Sequence, residues 1–238
     1  MKPYCRHVSK FVYCFLLTML ASTAQGKDSV AVFLPSVTPV SEIEKHLSTE
    51  PLFKGMDISV YKKFRDFNSA IKNTKPLYVL GPAKFVATHS DYKAFAQLAH
   101  KSNLTFKYKV FSIQDKWGKA ETAKGTIGMV QILGRKETKK YVGESVSEKF
   151  KKVKRVTKVE DLFPLLALEN AEYILVEPHI YDALKDKFRA KVNTVTESQP
   201  IGNPKLAVLK GKTGPVSVSL KKETLESLGY DNIKSIKD

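Results

Sequence analysis

Ala171-Glu172-Tyr173-Ile174-Leu175-Val176-Glu177-Pro178-His179-Ile180-Tyr181-Asp182 is the stretch on which the fold turns. Its apolar run through Val176 reads as a strand, and Ile180 to Phe188 reads as a helix. The same alternation extends outward in both directions. Toward the amino terminus, Ser29-Val30-Ala31-Val32-Phe33-Leu34 is an apolar run closed by Pro35, the pattern of a buried parallel strand. Ser41 and Glu44 fit a capping box, with Val40, Ile43 and Leu47 on one helical face. Asp57 to Tyr61 predicts a second strand, Asp66 to Asn73 a short helix, and Leu77 to Leu80 a third strand ended by Gly81-Pro82. Ser90 predicts the cap of a helix through His100, with Tyr92, Phe95 and Ala99 facing inward.

The rest of the chain repeats the theme. Phe106 to Phe111 alternates apolar and cationic residues, as a strand with one wet face should, and Gly125 to Gln131 predicts another strand. Arg155-Val156 is a brief strand, and Thr157 with Glu160 fits a second capping box, in which Pro164 kinks the helix or delays its start. Strands at Val192 to Val195 and Lys205 to Leu209 flank a turn-rich segment, and a short helix lies near Glu223 to Leu228. Strands alternating with helices of about ten residues imply an α/β protein of parallel layers. Two such halves in this length make two small lobes, which bind ligands at the carboxyl ends of their strands.

The amino terminus carries Lys2, Arg6 and Lys10, then an uncharged, largely apolar run from Phe11 to Ala24, then Ala21-Ser22-Thr23-Ala24-Gln25-Gly26. That order is a cleavable signal peptide over residues 1–26, with cleavage after Ala24 or Gly26. The protein is therefore expected in the periplasm. Cys5 and Cys14, the two cysteines of the chain, leave with the leader. The mature chain then has no disulfide, no thiol nucleophile and no cysteine metal site, and must rely on hydrophobic burial.

The formal charge of +16 loses three cations with the leader and stays strongly positive. Between Arg135 and Lys158, the cations Arg135, Lys136, Lys139, Lys140, Lys149, Lys151, Lys152, Lys154, Arg155 and Lys158 are opposed by Glu137, Glu144 and Glu148. In an exported protein such a stripe attracts small anions, anionic lipid or wall polymers, or serves as a solvated face; nucleic acid is not an expected partner.

Several segments together resemble the type 2 periplasmic solute-binding proteins, and within them the phosphonate- and phosphite-binding family of ABC transporters. Leu80-Gly81-Pro82-Ala83-Lys84-Phe85-Val86 resembles the family's strand exit, with Phe85 in place of the usual tyrosine. Lys124-Gly125-Thr126-Ile127-Gly128-Met129 resembles the opening of its second lobe, and Ala171 to Asp182 the strand, loop and helix that follow. Glu197-Ser198-Gln199-Pro200-Ile201-Gly202-Asn203-Pro204 resembles its return crossover. Where the family has a hydroxyl-rich turn that holds the phosphonate oxygens, this chain has Gln131-Ile132-Leu133-Gly134-Arg135-Lys136. Arg135 offers a bidentate route to an oxyanion, while Met129, Ile132 and Leu133 suit an apolar ligand.

The resemblance implies a two-lobed fold, each lobe a mostly parallel sheet flanked by helices. Residues 27–105 would begin lobe 1, residues 106–195 form lobe 2, and residues 196–238 return to lobe 1, with hinges near Asn103 to Phe106 and Thr196 to Gln199. It also implies a ligand cleft lined by Ser36, Thr38, Gly81, Phe85, Gln131, Arg135, Glu177 and His179. Trp117, in a polar loop, is either a cap on that cleft or a packing residue. The histidines have no ligand spacing, and there is no glycine-flanked nucleophile or phosphate loop. No enzyme activity, metal or cofactor is expected. The implied function is the binding component of an ABC-type uptake system: a monomer that takes an oxyanion or a small apolar molecule and hands it to a membrane permease. The alternative is a ligand-free envelope interaction or sensory protein that reuses the fold.

Overall fold

The computed structural model describes residues 27–113, 125–143, 146, 150–188 and 190–236. The leader and Trp117 lie outside the described residues. Two sheets organise the chain. In spatial order the first consists of β13 (Asn232–Ser235), β4 (Tyr92–Ala99), β12 (Lys205–Leu209), β3 (Tyr78–Gly81), β1 (Ser29–Val32) and β2 (Asp57–Val60), and the second of β10 (Val192–Glu197), β6 (Lys109–Ile113), β9 (Tyr173–Val176), β7 (Gly125–Val130) and β8 (Phe150–Val156).

In the first sheet β1 (Ser29–Val32) runs parallel to β2 (Asp57–Val60) and β3 (Tyr78–Gly81), and its apolar side chains are buried. α1 (Val40–Ser48) joins β1 to β2 and buries Ile43 and Leu47. The expected capping box does not form, because the helix already begins at Val40, behind Pro39. Glu44 instead accepts a hydrogen bond from the Val60 amide at 3.1 Å, tying the helix to the end of β2. α2 (Phe64–Thr74) buries Phe64, Phe67 and Ile71, which recur at helical spacing. Lys75, in the left-handed region with φ 45°, and Pro76 end it. α3 (Ala83–Thr88) follows β3 directly, with Pro82 at its N-cap position.

The segment after α3 departs from the sequence reading. Tyr92–Ala99 is a strand, β4, and not a helix. It pairs antiparallel with β12 (Lys205–Leu209) on one side and with β13 (Asn232–Ser235) on the other. Both partners arrive more than a hundred residues later in the chain. Burial of Tyr92, Ala96, Leu98 and Ala99 in the middle of the sheet overrides the helix preference of an alanine-rich segment. α7 (Lys222–Leu228) precedes β13 and ends at Gly229, φ 85°.

Between the halves, β5 (Thr105–Phe106) pairs with β11 (Ile201–Gly202) as a short ribbon. Asn203 is buried there and donates to the Asn103 carbonyl. In the second sheet β7 (Gly125–Val130) runs parallel to β8 (Phe150–Val156) and β9 (Tyr173–Val176). β6 (Lys109–Ile113) is antiparallel to β9 and to β10 (Val192–Glu197). Each sheet is therefore mixed: the parallel character expected holds around β1 and β7, and the remaining pairings are antiparallel. Helices α4 (Arg135–Val142), α5 (Leu162–Ala167) and α6 (Pro178–Leu184) connect this half. The capping box expected at Thr157 and Glu160 is absent; a 3-10 turn over Val159–Asp161 comes first, and α5 starts late enough to hold Pro164 in its first turn. Among the described residues no helix is long and apolar enough to cross a membrane.

Candidate functional site between the sheets

The carboxyl ends of β1, β2, β7 and β8 face one another, and a groove runs between them. One part, about 220 Å³, is lined by the loop after β1, including Ser36 and Thr38, and by Tyr61, Lys62, Val130 and Thr157 to Glu160. The adjoining part, about 340 Å³, is lined by Lys62, Lys63, Phe64, Arg65, Gln131, Arg155, Val156 and Thr157. Lys62 and Thr157 belong to both, which joins them into one groove. Lys62, Lys63 and Arg65 approach from the first sheet, and Arg155 and Lys158 from the second. Arg65 lies 3.6 Å from Asp66, while Lys62, Lys63 and Lys158 have no ion-pair partner among the described residues. Glu160 is the acid that lines the groove.

A smaller cavity, about 10 Å³, lies deeper at the ends of β7 and β9, against Pro35, Tyr108, Met129, Ile132, Glu177 and Ile180. That is about the space of one water. Here the polar groups are buried. Glu177 is 6 % exposed and accepts a hydrogen bond from the Tyr108 hydroxyl at 2.8 Å. Its other oxygen, Oε2, lies 3.7 Å from His179 Nδ1, too far for a hydrogen bond. Burial pushes the Glu177 carboxyl up to about 7, against the opposing pull of the Tyr108 hydrogen bond. Burial, then the charge of His100, hold the His179 imidazole down at about 4, with Asp182 opposing. The hydroxyls of Tyr108, Tyr141 and Tyr230 are pushed well above their ordinary range, by burial first and then by Glu177.

The expected site residues separate into groups. Ser36, Thr38 and Gln131 line the groove, and Glu177 lines the small cavity. The Ser36 hydroxyl is already engaged, accepting from the Thr38 amide of its own loop at 3.0 Å and donating to the Ser227 carbonyl of α7. Gly81 and Phe85 sit in the core: Phe85 is 2 % exposed and packs on Phe64 and Phe67. A Cβ on Gly81 would lie 3.1 Å from the Phe67 ring, so the glycine serves close packing. His179 turns away from the groove, onto Gly229 and Tyr230. Arg135 opens α4, but its side chain lies outside the described residues.

At that helix the missing hydroxyl turn has a physical counterpart. The Gly134 amide donates to the Glu137 carboxylate at 3.2 Å. The chain's own anion thus occupies the helix end that an oxyanion would need. The basic stripe also divides. Lys152 and Lys154 are exposed on β8, an edge strand, where lysine discourages edge-to-edge pairing, and Lys154 reaches Asn170. Arg155 and Lys158 turn into the groove. The cations from the first sheet, Lys62, Lys63 and Arg65, had a sequence signal: they follow directly on the strand read at Asp57 to Tyr61. The tyrosines around Glu177 had none, being far apart in the chain. Among the described residues no group of histidine, cysteine, aspartate and glutamate is placed to hold a metal ion.

No family profile and no curated relative matches the sequence. Solved structures do match the fold. XAC2383 from Xanthomonas citri bound to ATP superposes with a TM-score of 0.60 at 11% identity, covering 86% of this chain and 82% of that one. A putative L-cystine ABC transporter from Listeria monocytogenes gives 0.54 at 12% identity, covering 78% and 84%. The effector-binding domain of QuiR in complex with shikimate gives 0.53 at 12% identity, covering 86% and 94%. With two mixed sheets, helices on their faces and a groove at the strand ends, the chain has the two-lobed fold of the type 2 periplasmic binding proteins.

Proposed function

We propose that this protein is an exported solute-binding protein that closes two lobes on a small anionic solute and presents it to the membrane partner of an uptake system. Residues 27–105 and 196–238 would form one lobe and residues 106–195 the other, with the β5–β11 ribbon at the crossing. The observation that carries the reading is the groove, where Lys62, Lys63 and Arg65 from one sheet face Arg155 and Lys158 from the other. Cations on opposite walls repel when the groove narrows, and an anion between them removes that repulsion. XAC2383, similar in fold, holds anions in its solved structures, ATP in one and chloride in another. An apolar ligand is less well served, since the apolar cavity has room for about one water.

Thermal unfolding with phosphate, pyrophosphate, ATP, sulfate, methylphosphonate, amino acids and fatty acids tests this. Phosphate-bearing anions should raise the midpoint by mass action, less so as ionic strength rises. The paired change Lys62→Glu and Lys63→Glu should abolish the shift. An absence of any shift with anions at low salt would overturn the reading.

One observation favours the ligand-free alternative. A single buried apolar cluster contains Phe33, Phe64 and Phe85 beside the first sheet and Tyr108, Met129 and Ile132 of the second half, so apolar packing joins the two halves directly. A docking protein of that kind should lose partner binding when Lys152 and Lys154 on the β8 edge are changed to glutamate, and should show no anion-induced shift.

A further inference from the structure

Glu177 and His179 sit where the two halves of the molecule touch. Glu177 follows β9 and stands at the N-cap position of α6 without a side-chain capping bond, and His179 lies in the first turn of α6. The His179 ring rests on Gly229 and on Tyr230, its centroid 5.4 Å from that of the tyrosine; both residues follow α7, on the side of the first sheet. A Cβ at Gly229 would fall 2.7 Å from the imidazole, so the backbone there is in direct contact with the ring. Tyr108 reaches the carboxyl from the segment between β5 and β6, and Tyr141 faces it from α4. The charged neighbours stand further out: His100 is 3.8 Å from Asp231, and Asp182 is 3.3 Å from Lys185.

This junction does not accommodate charge. An ionised buried carboxylate needs several donors or a cation, and among the described residues Glu177 has one hydroxyl donor and an imidazole beyond bonding distance. A protonated His179 would need acceptors on both nitrogens, yet Nε2 is buried without a hydrogen-bond partner among the described residues. The neutral acid and the neutral imidazole fit the same space without that cost. If the halves part as proposed above, the contacts of Pro35 and Tyr230 with this junction are lost, water would reach both groups, and the acid and the base would regain their ordinary charges.

We propose that Glu177 and His179 form a proton-sharing latch between the lobes: on closing, the proton that His179 carries in the open form passes to Glu177, and both enter the junction uncharged. The N–H bond at the imidazolium breaks and an O–H bond forms at the carboxylate, so the net charge of the pair is unchanged. The carboxyl favours closure fully below about 4.5 and loses that contribution as pH rises through about 7. The imidazole favours closure fully above 6.5 and loses it as pH falls through about 4. Between 4.5 and 6.5 the two slopes oppose and cancel, leaving closure level over that range. Either group alone would make the closed-to-open ratio change about tenfold per pH unit.

The latch rests on the reading that the lobes separate, and the experiment keeps the two apart. The radius of gyration of the purified protein is followed by small-angle scattering from pH 4 to 8, with and without pyrophosphate. The wild type should be level in the middle of the range. Glu177→Gln should open as pH falls from 6.5 toward 4, and His179→Phe should open as pH rises from 4.5 toward 7. A wild type that is steep in that window, or variants as level as the wild type, overturns the latch. A radius that answers to pyrophosphate but not to these variants overturns the latch alone; one that answers to nothing overturns capture as well. Carbon NMR of the wild-type glutamate carboxyls needs no variant. One resonance should titrate with a midpoint near 7, and all of them titrating near 4.5 would refute the protonated Glu177.

Discussion

The groove and the junction lie between the same two sheets, the groove on the loops after β1, β2, β7 and β8 and the junction on the loop after β9 and the turn after α7, and they treat charge in opposite ways. In the groove the cations Lys62, Lys63 and Lys158 stand exposed to water, which screens their mutual repulsion. In the junction Glu177 and His179 are buried, and the same kind of group is driven toward neutrality. Solvent access, set by how closely the halves pack, decides which polar groups can act on an anion and which can only hold or release a proton. The groove is thus free to vary without unfolding the protein, whereas the junction is part of its core.

The largest expected effect is on the junction. Gly229→Ala places a side chain at φ 85° and drives its Cβ into the His179 ring, so unfolding free energy should fall by about 3 kcal/mol. A shifted urea midpoint at constant slope checks it. Glu177→Gln keeps an acceptor for Tyr108 and removes the titration. The raised carboxyl stabilises the fold below about 4.5 and loses that as pH rises through about 7. The variant should therefore match the wild type near pH 4.5 and exceed it at pH 8 by on the order of 2 kcal/mol. A stability difference independent of pH would remove the contrast between the two regions.

Tyr108→Phe takes away the one hydroxyl that favours the ionised carboxyl. Its cost should be about 1–2 kcal/mol at pH 8 and smaller at pH 5, with the Glu177 midpoint moving above 7. The smallest effect belongs to the groove. Lys62→Glu with Lys63→Glu should change stability by no more than about 0.5 kcal/mol while removing the anion response. If that pair instead destabilises the fold as strongly as Gly229→Ala, the groove is structural and the comparison fails.

Much of the fold was legible in the residues. The apolar runs at Ser29 to Leu34 and Ala171 to Val176 are buried strands because no other element accepts apolar side chains on both faces in so few residues. The short helix read at Asp66 to Asn73 is there as well, running over Phe64–Thr74 with Phe64, Phe67 and Ile71 buried. β4 was not legible, since Tyr92 to Ala99 carries helix-forming residues behind a serine, and only β12 and β13 make it a strand. Of the residues that the resemblance placed at a cleft, Ser36, Thr38 and Gln131 line the groove, whereas Phe85 is drawn into the aromatic core by Phe64 and Phe67.

By itself the sequence determined the alternation of strands and helices, because hydrophobic period and chain punctuation are local properties. It also determined the excess of positive charge, which is composition alone. Tertiary structure decided where that charge can be used. It brought Lys62 and Lys63 opposite Arg155 and Lys158, and it closed Tyr108, Tyr141 and Tyr230 around Glu177. These groups are far apart along the chain, and the dielectric each one meets is fixed only when the two halves pack.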